Sequence, residues 1–216
     1  MSLLRVCEIF TSIQGESSYA GFPCTFVRLS GCNLWCTYCD TAYARNEAVE
    51  MSLQEIIREV ESRSYRLVEI TGGEPLLQNT TPELVDELLR RGYFVLVETN
   101  GSLNINLVSR KAVRIVDFKC PSSGMMERND YDNISRLVPE HDEVKFVIGD
   151  REDYLFAKEL RREILRSGWK GVINFSPVSG RLDPAELADW ILTDRLDVRL
   201  NLQLHKYIWK GVERGV

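Results

Sequence analysis

The sequence predicts an α/β fold, an incomplete (partial) TIM-type barrel with parallel strands. Three observations carry that expectation. Short β-rich runs alternate with helical stretches, the pattern of βα units around a parallel sheet. Residues with chemistry in them fall just after successive strands, on the rim where parallel sheets and barrels build their sites. The chain has 216 residues, whereas a closed eight-stranded barrel takes ~250. The open side of such a barrel admits a substrate larger than a lone sugar.

About seven strands are expected, near residues 25–29, 67–71, 93–98, 113–119, 143–148, 171–176 and 198–203. In the first, Thr25-Phe26-Val27-Arg28-Leu29, period-two alternation puts Phe26 and Arg28 on one face, so a buried Arg28 needs an anion partner, a role a substrate carboxylate can fill. Ser52 and Glu55 form an S-x-x-E capping box for a helix to about residue 63. Thr81-Pro82 opens the next helix and Gly92 stops it. A longer helix spans 152–166 and ends at Gly168, and Asp183-Pro184 starts another that ends near Asp194. Gly31-Cys32, Thr71-Gly72-Gly73-Glu74-Pro75, Glu98-Thr99-Asn100-Gly101, Lys119-Cys120-Pro121-Ser122 and Leu204-His205-Lys206 then fall on the same rim.

Composition narrows the class. With 44% hydrophobic residues the chain can bury one substantial core, and residues 1–216 are expected to form a single domain. No apolar run approaches the ~20 residues of a membrane span, and Arg5 and Glu8 break the apolar stretch a signal peptide needs. Six cysteines without an export signal point to the reducing cytoplasm. A net charge of −5, without a basic block, argues against a nucleic-acid footprint and leaves a small molecule as the default partner.

The most informative segment is Cys32-Asn33-Leu34-Trp35-Cys36-Thr37-Tyr38-Cys39, spaced C-x3-C-x2-C. Three thiolates can hold three irons of a [4Fe–4S] cube and leave the fourth without a protein ligand, open to a substrate. Ferredoxin cubanes and structural zinc sites use four ligands. A zinc-binding structural module completed by Cys24, Cys120 or His205 stays open on spacing alone. Cys7, Cys24 and Cys120 read as buried small side chains, with Cys120 near the site, and His141 as a surface residue.

Other constellations have plain structural readings beside functional ones. Gly72-Gly73 frees the backbone of Cβ bulk for close approach to a ligand, or is an ordinary turn. Glu98 and Thr99 end a buried strand well placed for ribose hydroxyls or an amino group, or belong to an Asn-Gly turn. Asp117 and Lys119 end an apolar strand, where a charged pair serves as a rim salt bridge or a ligand contact. Glu16 is a pocket acid or a solvated one.

Taken together, Glu8-Ile9-Phe10, Ser12-Ile13-Gln14-Gly15-Glu16, Phe26-Val27-Arg28-Leu29-Ser30-Gly31-Cys32-Asn33-Leu34, Cys36-Thr37-Tyr38-Cys39-Asp40-Thr41, Thr71-Gly72-Gly73-Glu74-Pro75, Glu98-Thr99-Asn100-Gly101 and Gln203-Leu204-His205-Lys206-Tyr207 resemble a family of radical S-adenosylmethionine (SAM) enzymes, the 7-carboxy-7-deazaguanine synthases of queuosine and deazapurine biosynthesis. The resemblance covers nearly the whole chain and implies a radical SAM core. It implies a carbon–nitrogen lyase that converts 6-carboxy-5,6,7,8-tetrahydropterin to 7-carboxy-7-deazaguanine, with ring contraction, release of ammonia and Mg²⁺ dependence. A reduced cluster cleaves SAM, the resulting 5′-deoxyadenosyl radical removes hydrogen from C6, and SAM is regenerated.

By motif position the resemblance assigns Cys32, Cys36 and Cys39 to the [4Fe–4S] cluster and Thr41 to Mg²⁺. It sets Tyr38, Cys39, Asp40, Gly73, Glu98, Asp117 and Lys119 around SAM, and Ile13, Gln14, Gly15, Glu16, Arg28, Thr71 and His205 around the pterin. No catalytic protein residue is required beyond cluster and SAM. The family also implies an electron donor such as flavodoxin or ferredoxin, and a homodimer. Ser17 stands where the family often has glycine, and Asp117-Phe118-Lys119 replaces its common Ser-Pro-Lys. A rival within the same chemistry is a glycyl-radical-enzyme activase, which lacks the Gln-Gly-Glu segment and the His-Lys-Tyr ending.

Overall fold

The computed structural model describes residues 3–216, which build one nine-stranded sheet in the order β3-β1-β2-β4-β5-β6-β7-β8-β9. The parallel part runs through β2 (Pro23–Leu29), β4 (Leu67–Gly72), β5 (Phe94–Thr99), β6 (Val113–Asp117), β7 (Glu143–Ile148), β8 (Val172–Pro177) and β9 (Arg199–Leu200). Two strands escape the sequence reading: β1 (Leu3–Ile13), antiparallel to β2, and the edge strand β3 (Val49–Ser52). The end strands β3 and β9 do not pair with each other, so the barrel stays open.

Period-two alternation gives the sheet two different faces. Val27, Val68, Ile70, Val97, Phe146 and Phe175 point outward into the main core, where Ile56 of α1 (Leu53–Ser62), Leu84 of α2 (Thr81–Arg90), Ala157 of α4 (Arg151–Arg166) and Leu187 of α5 (Pro184–Thr193) cover them. The anticipated Ser52/Glu55 capping box starts α1, and Asp150 and Asp183 cap α4 and α5 by accepting backbone amides. The short helices α3 (Asn133–Arg136) and α6 (Leu204–Ile208) complete the set. The expected strand 198–203 is two residues long, and His205 lies on α6 instead.

The inner face is filled from below. Phe10 stacks on Phe26 at 4.9 Å, and Leu96, Val113 and Ile115 pack against Tyr19. Tyr19 belongs to the β1–β2 connection, which folds onto this face: Ser18 donates its amide to the Glu143 carboxylate at 3.2 Å, and across the loop's neck the Gly21 amide donates to the Gln14 carbonyl and the Gln14 amide to that of Phe22, each at 2.8 Å. Ser17, at φ 59°, holds the left-handed conformation there, a region that favours glycine. The plug leaves the upper inner face free, and that layer is polar: Arg28, Glu69, Thr71, Glu98, Asp117 and Lys145.

Candidate active site

The loop after β2 enters the rim by pressing backbone on backbone. A Cβ on Gly73 would lie 2.1 Å from the Gly31 carbonyl oxygen, and one on Gly72 2.1 Å from that of Leu29. Only glycine fits a contact that close. Glu74 does not line the cavity. Buried at the strand end, it accepts from the amides of Leu76 (2.9 Å) and Asn100 (2.7 Å) and from the Thr99 hydroxyl (2.8 Å), pinning the second rim loop to the third; burial pushes its carboxyl up.

Asn100 passes that order to the cysteine loop. Its Nδ2 donates to Asn33 Oδ1 at 3.1 Å and approaches Cys32 Sγ at 3.8 Å, while the Leu34 amide lies 3.4 Å from the same sulfur. Amide donors aimed at a sulfur suit a thiolate bound to iron. Cys32, Cys36 and Cys39 are free thiols lining one cavity. Burial pushes the Cys36 thiol up, a cost that a coordinated metal removes by deprotonating its ligand outright. Among the described residues no three His, Cys, Asp or Glu side chains converge as a single ion requires. Each thiolate of a cubane takes its own iron, so a cluster does not need its three ligands to meet at one ion. Of the residues that could complete a zinc site, Cys24 and Cys120 are fully buried and stay out of the cavity, whereas His205 lines it; Cys7 is only half-buried.

The cavity, of 490 Å³, is walled by every residue put forward for cluster, Mg²⁺, SAM and pterin. Its charges are ordered in pairs. Lys145, buried on β7, bridges Glu16 Oε2 at 2.5 Å and Glu98 Oε1 at 2.6 Å. Burial alone draws the lysine down, but Glu16, Glu98 and Asp117 hold it well above its ordinary value. Burial likewise raises Glu16, and Lys145 outweighs it and keeps the carboxyl low. Asp117 and Lys119 form a salt bridge of 2.6 Å on the wall. Asp40 takes Lys206 at 2.8 Å and sits at about 2 despite the opposing effect of burial. Tyr38 donates to the Val147 carbonyl at 3.3 Å, and Thr41 Oγ1 lies 3.9 Å from Cys39 Sγ.

Arg28 differs from the sequence expectation in one respect. Its anion partner is a protein group: Nε donates to Glu8 at 2.7 Å, and Glu8 also accepts from the Tyr43 hydroxyl at 2.8 Å. The terminal nitrogens make no hydrogen bond among the described residues. On the opposite wall, the Leu204 amide donates to the Gly15 carbonyl at 3.0 Å, and a Cβ on Gly15 would meet His205 Nδ1 at 2.6 Å. This contact seats His205 over the Gln14-Gly15-Glu16 turn. Burial lowers the His205 imidazole, favouring its neutral form.

Comparison with known proteins matches residues 26–116 to the Radical SAM superfamily. The 7-carboxy-7-deazaguanine synthase of Chlorobaculum tepidum is 48% identical over 99% of this chain and 97% of its own, and that of Koribacter versatilis is 45% identical over 99% and 100%. The chain belongs to the 7-carboxy-7-deazaguanine synthase family. It is therefore a radical SAM enzyme. In fold, the crystal structure of QueE from Escherichia coli superposes with a TM-score of 0.76 at 23% identity, covering 94% of this chain and 95% of that one.

Within this family frame, the site holds residues that sequence reasoning passed over. Glu69 and Lys145 are charged residues inside apolar strands, the signal that singled out Arg28. Asn33 and Asn100 tie the rim loops together. Val216 also reaches the cavity wall, and half-buried His141, expected at the surface, has its Nε2 buried 3.7 Å from Asp142 Oδ1 without a hydrogen bond.

Proposed function

We propose that the protein converts 6-carboxy-5,6,7,8-tetrahydropterin to 7-carboxy-7-deazaguanine and ammonia, with Mg²⁺, a [4Fe–4S] cluster and SAM, in queuosine-type deazapurine biosynthesis. The observation that carries this reading is the cavity itself, which unites three free thiols, a glycine-lined strand end and a polar pocket. Cys32, Cys36 and Cys39 hold the cluster, and Gly73, Glu98 and the Asp117–Lys119 pair border SAM. When bound, the reduced cluster and SAM supply hydrogen-atom removal at C6 of the substrate. Loss of ammonia accounts for the whole change in composition, so no net oxidant is consumed and SAM can be returned.

The chain's own residues bind and orient. Arg28, fixed through Nε by Glu8, offers its terminal nitrogens to the substrate carboxylate as charge-assisted donors. Glu16, kept ionised by Lys145, accepts from the amino-pyrimidine edge. Neutral His205 and Thr71 close the pocket around the ring, and Thr41 offers a hydroxyl oxygen to Mg²⁺, a cation that keeps few protein ligands beside substrate oxygens and water. Electrons come from a carrier such as flavodoxin or ferredoxin.

The test is anaerobic incubation of reconstituted protein with the carboxypterin, SAM, Mg²⁺ and dithionite. The expected outcome is a product with the mass of 7-carboxy-7-deazaguanine. Unchanged pterin beside active SAM cleavage contradicts the substrate assignment.

A further inference from the structure

Five carboxyl side chains line the cavity, and four have a cation: Glu16 and Glu98 share Lys145, Asp117 has Lys119, and Asp40 has Lys206. Glu69 has none among the described residues. It sits on the inner face of β4, 2% exposed, one inward position below Thr71, in register with Phe26 on one side and Leu96 on the other.

Gln14 sets how Glu69 is presented. The Gln14 side-chain carbonyl accepts the Glu16 amide, which leaves its Nε2 to donate to Glu69 Oε2 at 2.6 Å. Glu69 Oε1 has no hydrogen-bond partner among the described residues, yet it is not sealed in protein and opens on the cavity. A carboxylate there has Phe26 and Leu96 in register beside it, the Cys24 thiol on the same side of β2, and two further acids nearby in Glu98 and Glu16; of the cations on this face, Lys145 is committed to both of those acids and Arg28, two places along β2, is bound to Glu8 through Nε. Burial first, then Glu98 and Glu16, push its carboxyl up to about 8, against the opposing pull of Gln14 and Lys145. In the neutral acid, Oε2 accepts from Gln14 and Oε1 carries the proton.

We infer that Glu69 is a specificity-determining residue whose Oε1 hydroxyl donates to an acceptor on the substrate's pyrimidinone ring, its lactam oxygen or a bare ring nitrogen. This rests on the reading above that a pterin occupies the cavity. Glu16 then takes donors of the ring and Glu69 an acceptor, so the two acids read opposite hydrogen-bonding characters of one heterocycle.

The probe is 6-carboxypterin, whose intrinsic fluorescence reports binding to reconstituted protein holding SAM. Glu69→Gln keeps an acceptor for Gln14 and offers an amide donor in place of the hydroxyl, whereas Glu69→Leu offers neither. The leucine variant is expected to bind at least about tenfold more weakly, and the glutamine variant within about threefold of wild type. Wild-type affinity should fall more steeply than that of Glu69→Gln as pH rises through about 8, the probe's own lactam titrating alike with both. Equal affinity in the leucine variant, a glutamine variant as weak as leucine, or the same pH profile in wild type and Glu69→Gln overturns the inference. If Glu69→Leu fails to fold, the glutamine variant and its pH profile decide. Wild-type protein that does not bind 6-carboxypterin contradicts the pterin reading itself, and the role of Glu69 with it.

Discussion

Glu69 shows at the scale of one residue how the pocket trades stability for chemistry. Its folded-state carboxyl titrates at about 8 against an ordinary value of 4.5. Between those values the folded chain binds more protons than the unfolded one, so this group's contribution to stability is full at low pH and is lost as pH rises towards 8. Relative to Glu69→Gln, wild-type protein should lose stability over that window, with a limiting slope of about 1.4 kcal/mol per pH unit. Paired denaturant titrations at pH 5 and 8.5 check it. Arg28 gives a second prediction: Arg28→Ala should weaken 6-carboxypterin binding by ~2 kcal/mol or more through loss of charge-assisted donors, while unchanged affinity removes Arg28 from the pocket assignment. Alternation showed which face Arg28 occupies, but the Glu8 pairing depends on β1 lying beside β2, which no local pattern announces.

At the scale of elements, the legible parts were those with local signals. The capping box, the Thr81-Pro82 and Asp183-Pro184 starts and the apolar parallel strands all sit where their chemistry puts them. β1 was hidden because its register shifts between Val6 and Glu8, and the bulge breaks the alternation that marks a strand. β3 was hidden because it is four residues long and none of them is buried. Lys145 and Glu69 lie mid-strand, where they look like errors in an apolar run until the barrel turns that face inward. The strand-end glycines carry the sharpest test at this scale. Gly73→Ala drives a methyl into the Gly31 carbonyl and should cost at least about 2 kcal/mol, read as a lowered melting temperature together with reduced iron content after reconstitution. At the lower end of the sheet, Arg114 and Asp142 form a fully buried pair. Asp142→Ala leaves the guanidinium uncompensated and should destabilise by about 3–5 kcal/mol, measured by denaturant unfolding.

For the whole molecule, the division of the sheet into an apolar outer face and a charged inner face explains why one cavity gathers residues from Ile13 to Val216. The helices cover the outside, the β1–β2 loop plugs the lower interior, and what is left is a polar chamber under the cysteine loop. No helix among the described residues is long and apolar enough to cross a membrane. In the function proposed, the chamber's chemistry depends on three sulfurs sharing a cubane with one iron left open. The most direct measurement is oxygen-free reconstitution followed by iron and sulfide analysis and electron paramagnetic resonance of the dithionite-reduced protein with and without SAM. About four irons and four sulfides per chain, with a reduced signal that changes when SAM is added and is lost in Cys36→Ala, is the expected result. A colourless protein holding about one zinc per chain, or a brown one whose reduced spectrum ignores SAM, contradicts the account.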